Sequence, residues 1–245
     1  MRKNKRFILL FFIGITFFQA WTMIPGLHDF KPDWPVSLAF MISVSNNSAL
    51  ILMMDWYFSF GVISFFMMGM LKKDLYGFGK YMLVRNYNRK KFIVLKLVKT
   101  LALGIGFILI QVGIFSVVGE LFLNDETYIY WYENVYALPF YILIVVFLLM
   151  SQLILELVFS EITSFLIINI YVTLSLSFWN YLQAIGKWTW LIYFFVPNAM
   201  FPLRTNHYIH QGLFIETVLS LVIVCTLITI LIFFATRLIK KVDIY

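Results

Sequence analysis

The chain has 245 residues, of which 62% carry hydrophobic side chains, 20% are aromatic and 13% are charged. A soluble domain carries roughly 45–50% apolar and about 25% charged residues, so these proportions exclude an ordinary water-soluble globule. Lys and Arg number 19 against 12 acidic residues, a net charge of +7, and a lone cysteine, Cys225, rules out an intramolecular disulfide.

Apolar runs near or above the ~20 residues that cross a bilayer follow one another along the chain. The expected fold class is therefore an all-α integral membrane protein, a single transmembrane domain of six helices. The first run, 7–24, follows the basic start Met1-Arg2-Lys3-Asn4-Lys5-Arg6 and ends at Pro25-Gly26. It is long for the apolar region of a signal peptide and no small-x-small cleavage site closes it, so it reads as a retained signal anchor. The second run covers 49–71 and the third 100–122. The fourth and fifth, 138–159 and 162–182, share an almost continuous apolar stretch, too long for one crossing and long enough for two, with Glu156, Ser160 and Glu161 marking the turn. The sixth covers 213–235.

Lys and Arg segregate between alternate connections. Four lie in the amino terminus, nine in the 72–99 stretch and three after Ala235, whereas the other connections hold only Lys31, Lys187 and Arg204. The positive-inside rule then places both termini in the cytoplasm. Trp21, Trp34, Trp56, Trp131, Trp179, Trp188 and Trp190 all fall at or near the opposite interface, where amphipathic rings are favoured.

Two stretches interrupt the six-helix pattern. In 72–99, apolar and basic residues interleave, which suits either a loop held on anionic lipid or a cytoplasmic helical element with one side for the bilayer and one for another protein. Between the fifth and sixth runs, Trp188 to Val196 is too short to span and precedes Pro197. It reads as an external interfacial or re-entrant helix, or as an aromatic loop among the headgroups.

Motifs for chemistry are missing. Gly79-Lys80 has Asp74 and Tyr81 where a phosphate-cradling loop needs glycine and a serine or threonine, so the chain is not expected to hydrolyse ATP or to be an enzyme. His207 and His210 are three apart but have no carboxylate or thiolate beside them, and no metal or cofactor is expected in this chain. Asn46-Asn47-Ser48 forms a glycosylation tripeptide of the kind that recurs by chance. Ionisable residues in a membrane helix carry a functional reading by default. Asp55, Glu120, Glu156 and Glu216 sit near helix ends, with Gln111 and Gln152 deeper. Asp55, Gln111, Gln152 and Glu156 are candidates for a transport path or gate, set against snorkelling or a helix-packing hydrogen bond. Gly104, Gly106 and Gly113 suit close helix contact. With no midplane ion site, the chain reads as a conduit without its own engine.

Taken together, the six spans, the basic stretch after the second, the tight turn after the fourth and the helical excursion before the sixth resemble the permease subunits of type 2 ATP-binding-cassette exporters. Within that stretch Gly79, Arg85, Asn86, Asn88, Arg89, Phe92 to Leu95 and Lys96 resemble the family's coupling loop, with Lys73-Asp74-Leu75-Tyr76-Gly77 in place of its usual lead-in. The resemblance implies separate cytoplasmic ATP-binding subunits, which hold the ATP and magnesium, docking on Lys80, Arg85, Asn88, Arg89, Lys90, Lys91 and Lys96. It also implies a second permease copy or a sister permease, contact with membrane lipid, no nucleic acid, and a place in a bacterial cytoplasmic membrane. The small separate permease further resembles those of Gram-positive bacteria that export or expel antimicrobial and amphipathic peptides. Rival readings are a partner-independent channel, scramblase or secondary transporter, and a non-transporting immunity protein that binds a bacteriocin.

Overall fold

The computed structural model describes residues 2–23, 49–77, 88–122, 137–186, 189–200, 204 and 214–241. Seven α-helices and two short 3-10 helices account for nearly all of them. The helices are α1 (Arg2–Met23), α2 (Ala49–Met67), α3 (Met70–Tyr76), α4 (Arg89–Phe122), α5 (Ala137–Leu155), α6 (Glu161–Ile185) and α7 (Thr217–Lys241). Long runs of Leu, Ile, Val and Phe supply the apolar surface, and a helix satisfies its own backbone, which an apolar surround demands. Among the described residues, four segments, Arg89–Val118, Leu138–Leu155, Glu161–Trp179 and Thr217–Lys240, are long and apolar enough to cross a membrane; Arg6–Trp21 is a shorter apolar helix.

Local chemistry sets the boundaries, and several differ from those expected. The second run does not continue as one helix through residue 71. It breaks at Met68-Gly69, where Gly69 adopts φ 72° and stands at the head of α3. The basic stretch is not a loop throughout: α3 occupies its beginning, and α4 starts at Arg89 instead of at residue 100. Ile93, Leu97, Thr100 and Gly104 fall on the buried face of α4 at intervals of three and four, so helical packing runs straight through the basic residues. At about 1.5 Å per residue the 34 residues of α4 reach about 51 Å, well beyond a hydrocarbon layer of ~30 Å.

The apolar stretch 138–182 divides as two helices. α5 stops at Leu155, a turn follows, and Ser160 caps α6 by accepting the Thr163 N–H at 3.1 Å. Gly186, at φ 65°, closes α6 in the left-handed conformation and donates its N–H to Leu182 O. The segment after α6 is not an α-helix but two 3-10 helices, Thr189–Phe194 and Val196–Met200. α7 begins at Thr217, later than residue 213, and runs to Lys241.

α5 is the centre of the bundle. It packs against α2, α4, α6, α7 and the second 3-10 helix, while α1 closes the outside between α2 and α4. Its residues Ile144 to Met150 are all buried. α7 is the reverse, with Val218, Leu221, Val222, Ile230, Phe233 and Phe234 exposed on its outer side. An exterior this apolar suits lipid. Of the three α4 glycines, Gly104 allows close approach, because a Cβ there would lie 3.2 Å from Leu149 Cδ1; Gly106 and Gly113 have open space around them.

Candidate functional site

Buried polar side chains tie α2 to its neighbours on two sides, to α1 at Ser59 and to α5 and α6 at Ser64. Ser59 Oγ donates to Gln19 Oε1 on α1 at 2.6 Å. About one and a half turns further on, Ser64 Oγ donates to Gln152 Oε1 at 2.6 Å, and Gln152 Nε2 returns a bond to Ser64 O at 2.9 Å. Asn169 of α6 joins them, its Nδ2 donating to Ser64 Oγ at 3.2 Å and to Phe165 O at 2.7 Å. Three helices thus meet at Ser64. Elsewhere Tyr141 Oη donates to Gln111 Oε1 at 3.0 Å, tying α5 to α4.

The seam ends at Glu156, four residues and one turn beyond Gln152, just past the end of α5. Its carboxylate sits over the break between α2 and α3, accepting the Gly69 N–H at 2.6 Å and the Leu71 N–H at 3.2 Å. These backbone groups open a helix and lack partners within it. Glu156 is 1% exposed. Burial is the main influence on its carboxyl and raises its pKa above the ordinary value; the Gly69 and Leu71 N–H groups pull the other way, and nearby Glu161 adds to the rise. A Cβ on Gly69 would displace the end of the Glu161 side chain, which can move, but the backbone angle of 72° itself favours glycine.

Charged contacts bind α3 to its surroundings at this end. Lys73 pairs with Glu161 at 3.7 Å, and Lys96 of α4 pairs with Asp74. Arg89, at the start of α4, donates to Lys240 O at the end of α7 at 3.2 Å. Lys90, Lys91 and Lys99 are exposed along the same end of α4. Basic groups from α3, α4 and α7, far apart in sequence, therefore share one end of the bundle.

A second polar cluster lies where α6 meets the 3-10 helices. Tyr171 Oη donates to Phe194 O at 2.8 Å and accepts the Val196 N–H at 3.2 Å, while Asn198 Nδ2 donates to Ser175 O at 2.9 Å. Arg204 donates to Asn198 Oδ1 and stacks over Trp179 at 4.9 Å. It is 5% exposed, and burial pushes its pKa down to about 9, which still leaves it charged at neutral pH.

Of the residues singled out from sequence, Asn88, Arg89, Lys90, Lys91 and Lys96 lie at the basic end. Asn88 Oδ1 caps α4 by accepting the Lys90 N–H at 3.0 Å. Lys80, Arg85, His207 and His210, and the Asp55 side chain, lie outside the described residues. Gln111, Gln152 and Glu156 are all buried and bonded to neighbouring helices. Among the described residues, no three His, Cys, Asp or Glu side chains gather as a metal site. Sequence reasoning missed Ser64, Gly69, Asn169 and Asn198. For Arg204 a signal existed, as a lone cation in a stretch otherwise poor in charge.

Fold and site together define a class: an α-helical bundle with an apolar exterior, a polar seam through its middle and basic groups gathered at one end. Residues 8–245 match the family described as Protein of unknown function (DUF2705), and the chain belongs to that family. No curated protein and no solved structure matches it.

Proposed function

We propose that this chain is the membrane-spanning permease subunit of an ATP-binding-cassette transporter that exports or expels an amphipathic peptide or a lipid-like substrate across a bacterial cytoplasmic membrane. In this reading α1 and α2 complete a set of six spans, both termini are cytoplasmic, and the basic end faces the cytoplasm. The chain binds no nucleotide itself. Separate ATPase subunits dock on α3, on the start of α4 and on the connection that carries Lys80 and Arg85, and a second permease copy completes the pore.

The observation that carries this reading is the basic end. α3 is a short helix packed into the core through Met70, Leu71 and Leu75 and paired with α4 and α6, and α4 continues past the length a bilayer needs. A loop merely resting on anionic lipid requires neither. A surface that takes up force from a soluble motor needs a stiff element fixed to several helices at once, and α3 has that form.

Isolation of the complex from native membranes, through a tag on this chain, tests the proposal. The expected result is a stoichiometric ATPase whose hydrolysis is coupled to substrate movement. Replacing Arg85, Arg89 and Lys96 with alanine should leave insertion intact and uncouple the two activities. A chain that moves substrate alone, or binds a peptide without flux and without an ATPase, would replace this reading with a channel or an immunity protein.

A further inference from the structure

The break at Gly69 is enclosed by one short piece of chain, the turn joining α5 to α6. Glu156, at the start of that turn, takes the first N–H groups of α3; Glu161, at its end, covers Gly69 and pairs with Lys73. The side chain four residues before Glu156, Gln152, grips α2 through both the hydroxyl and the carbonyl of Ser64. α2 is therefore held on one side of the break and α3 on the other by the same turn of α5, with α6 fastened to both through Asn169 and Glu161. A bare glycine joint would let α3 swivel. This one has its backbone donors occupied and its open side filled.

We propose that Glu156 is the positioning residue of a transmission joint: by holding the Gly69 and Leu71 N–H groups it fixes the angle between α2 and α3, so that displacement of α3 moves α2, α5 and α6 as one unit. The inference rests on the reading of α3 as a docking element, but the joint itself can be tested without any partner. Cutting the carboxylate contact leaves α3 held by the burial of Met70, Leu71 and Leu75 and by the partly exposed, easily screened pairs Lys73–Glu161 and Lys96–Asp74, none of which grips the backbone at Gly69. Motion of α3 would then be absorbed at Gly69 instead of reaching the bundle.

Amide hydrogen exchange in lipid nanodiscs tests the joint in two arms. With the chain alone, Glu156→Ala should speed exchange at Gly69 and Leu71 by about ten- to a hundredfold, since two buried donors lose their acceptor. Glu156→Gln, which retains one acceptor oxygen and the same shape, should fall between this variant and the wild type, and it serves where the alanine variant folds poorly. Unchanged exchange at these amides in both variants overturns the joint. With the complex isolated from native membranes, ATP plus vanadate should alter exchange across residues 161–185 in the wild type and not in Glu156→Ala, while ATP hydrolysis measured without vanadate persists in both. A response that is equal in the two would overturn the transmission role. No nucleotide response in the wild type would overturn the docking reading, with the first arm still reporting on the joint.

Discussion

Glu156 is subject to two opposing demands. Burial makes its charge costly, whereas two backbone donors favour that charge, and burial has the larger effect. The nearest charged groups reinforce the outcome: Glu161 repels a second negative charge, and Lys73 is engaged with Glu161. With the folded-state pKa raised above the unfolded one, the contribution of Glu156 to stability is fully present below its ordinary value of 4.5 and is lost as pH rises through the folded value. The wild type should therefore lose stability relative to Glu156→Gln as pH is raised upward from 4.5, while the variant shows no such slope. Thermal unfolding in detergent at constant ionic strength, repeated across that range, gives the comparison. Parallel curves would assign the titration to another group.

At the scale of elements, the glycines separate a joint from an ordinary helix. Gly69→Ala forces a Cβ into the left-handed region and against the Glu161 carboxylate, and should cost about 1–3 kcal/mol. Gly106→Ala sits in a regular helix with nothing within 4 Å, and should add up to about 1 kcal/mol. Gly104→Ala must displace Leu149 and should fall below Gly106→Ala. Unfolding curves of the three variants in one detergent settle the order. The α5 and α6 helices were legible from sequence because an apolar run too long for one crossing has to turn, and Glu156, Ser160 and Glu161 were the polar residues available for it. The break at Gly69 was not legible. Its neighbours Met68, Met70 and Leu71 are as apolar as the helix before them, and the partner that stabilises the break lies 87 residues away. The start of α4 was left open for the opposite reason: the interleaved Lys90, Lys91, Lys96 and Lys99 suited a lipid-held loop as well as a cytoplasmic helical element, and Ile93 and Leu97 keep the helical spacing that joins this stretch to the third run.

At the scale of the molecule, what sequence conveyed was the distribution of charge, and the fold brings those charges together. Arg89 reaches Lys240 O across 151 residues, and Lys96 reaches Asp74 across 22. Of the polar seam, Gln152 and Glu156 stood out singly in an apolar run, whereas Ser64 and Asn169 carried no signal and join them only when α2, α5 and α6 pack. The proposed topology puts Lys240 in the cytoplasm and Trp190, on the first 3-10 helix, at the outer surface. Both side chains are exposed, so single cysteines at these positions should react with a thiol reagent that cannot cross membranes. Cys225 is exposed on α7 and must first be replaced, as Cys225→Ser. In intact cells Trp190→Cys should label and Lys240→Cys should not; after permeabilisation both should. Lys240 is at the end of α7 and Trp190 is on the 3-10 helix that Tyr193 joins to its start, so labelling from the same side would mean that α7, the most outward-facing of the four described helices long enough to cross, does not cross at all. The basic end would then lose its cytoplasmic address, and with it access to any ATP-hydrolysing partner.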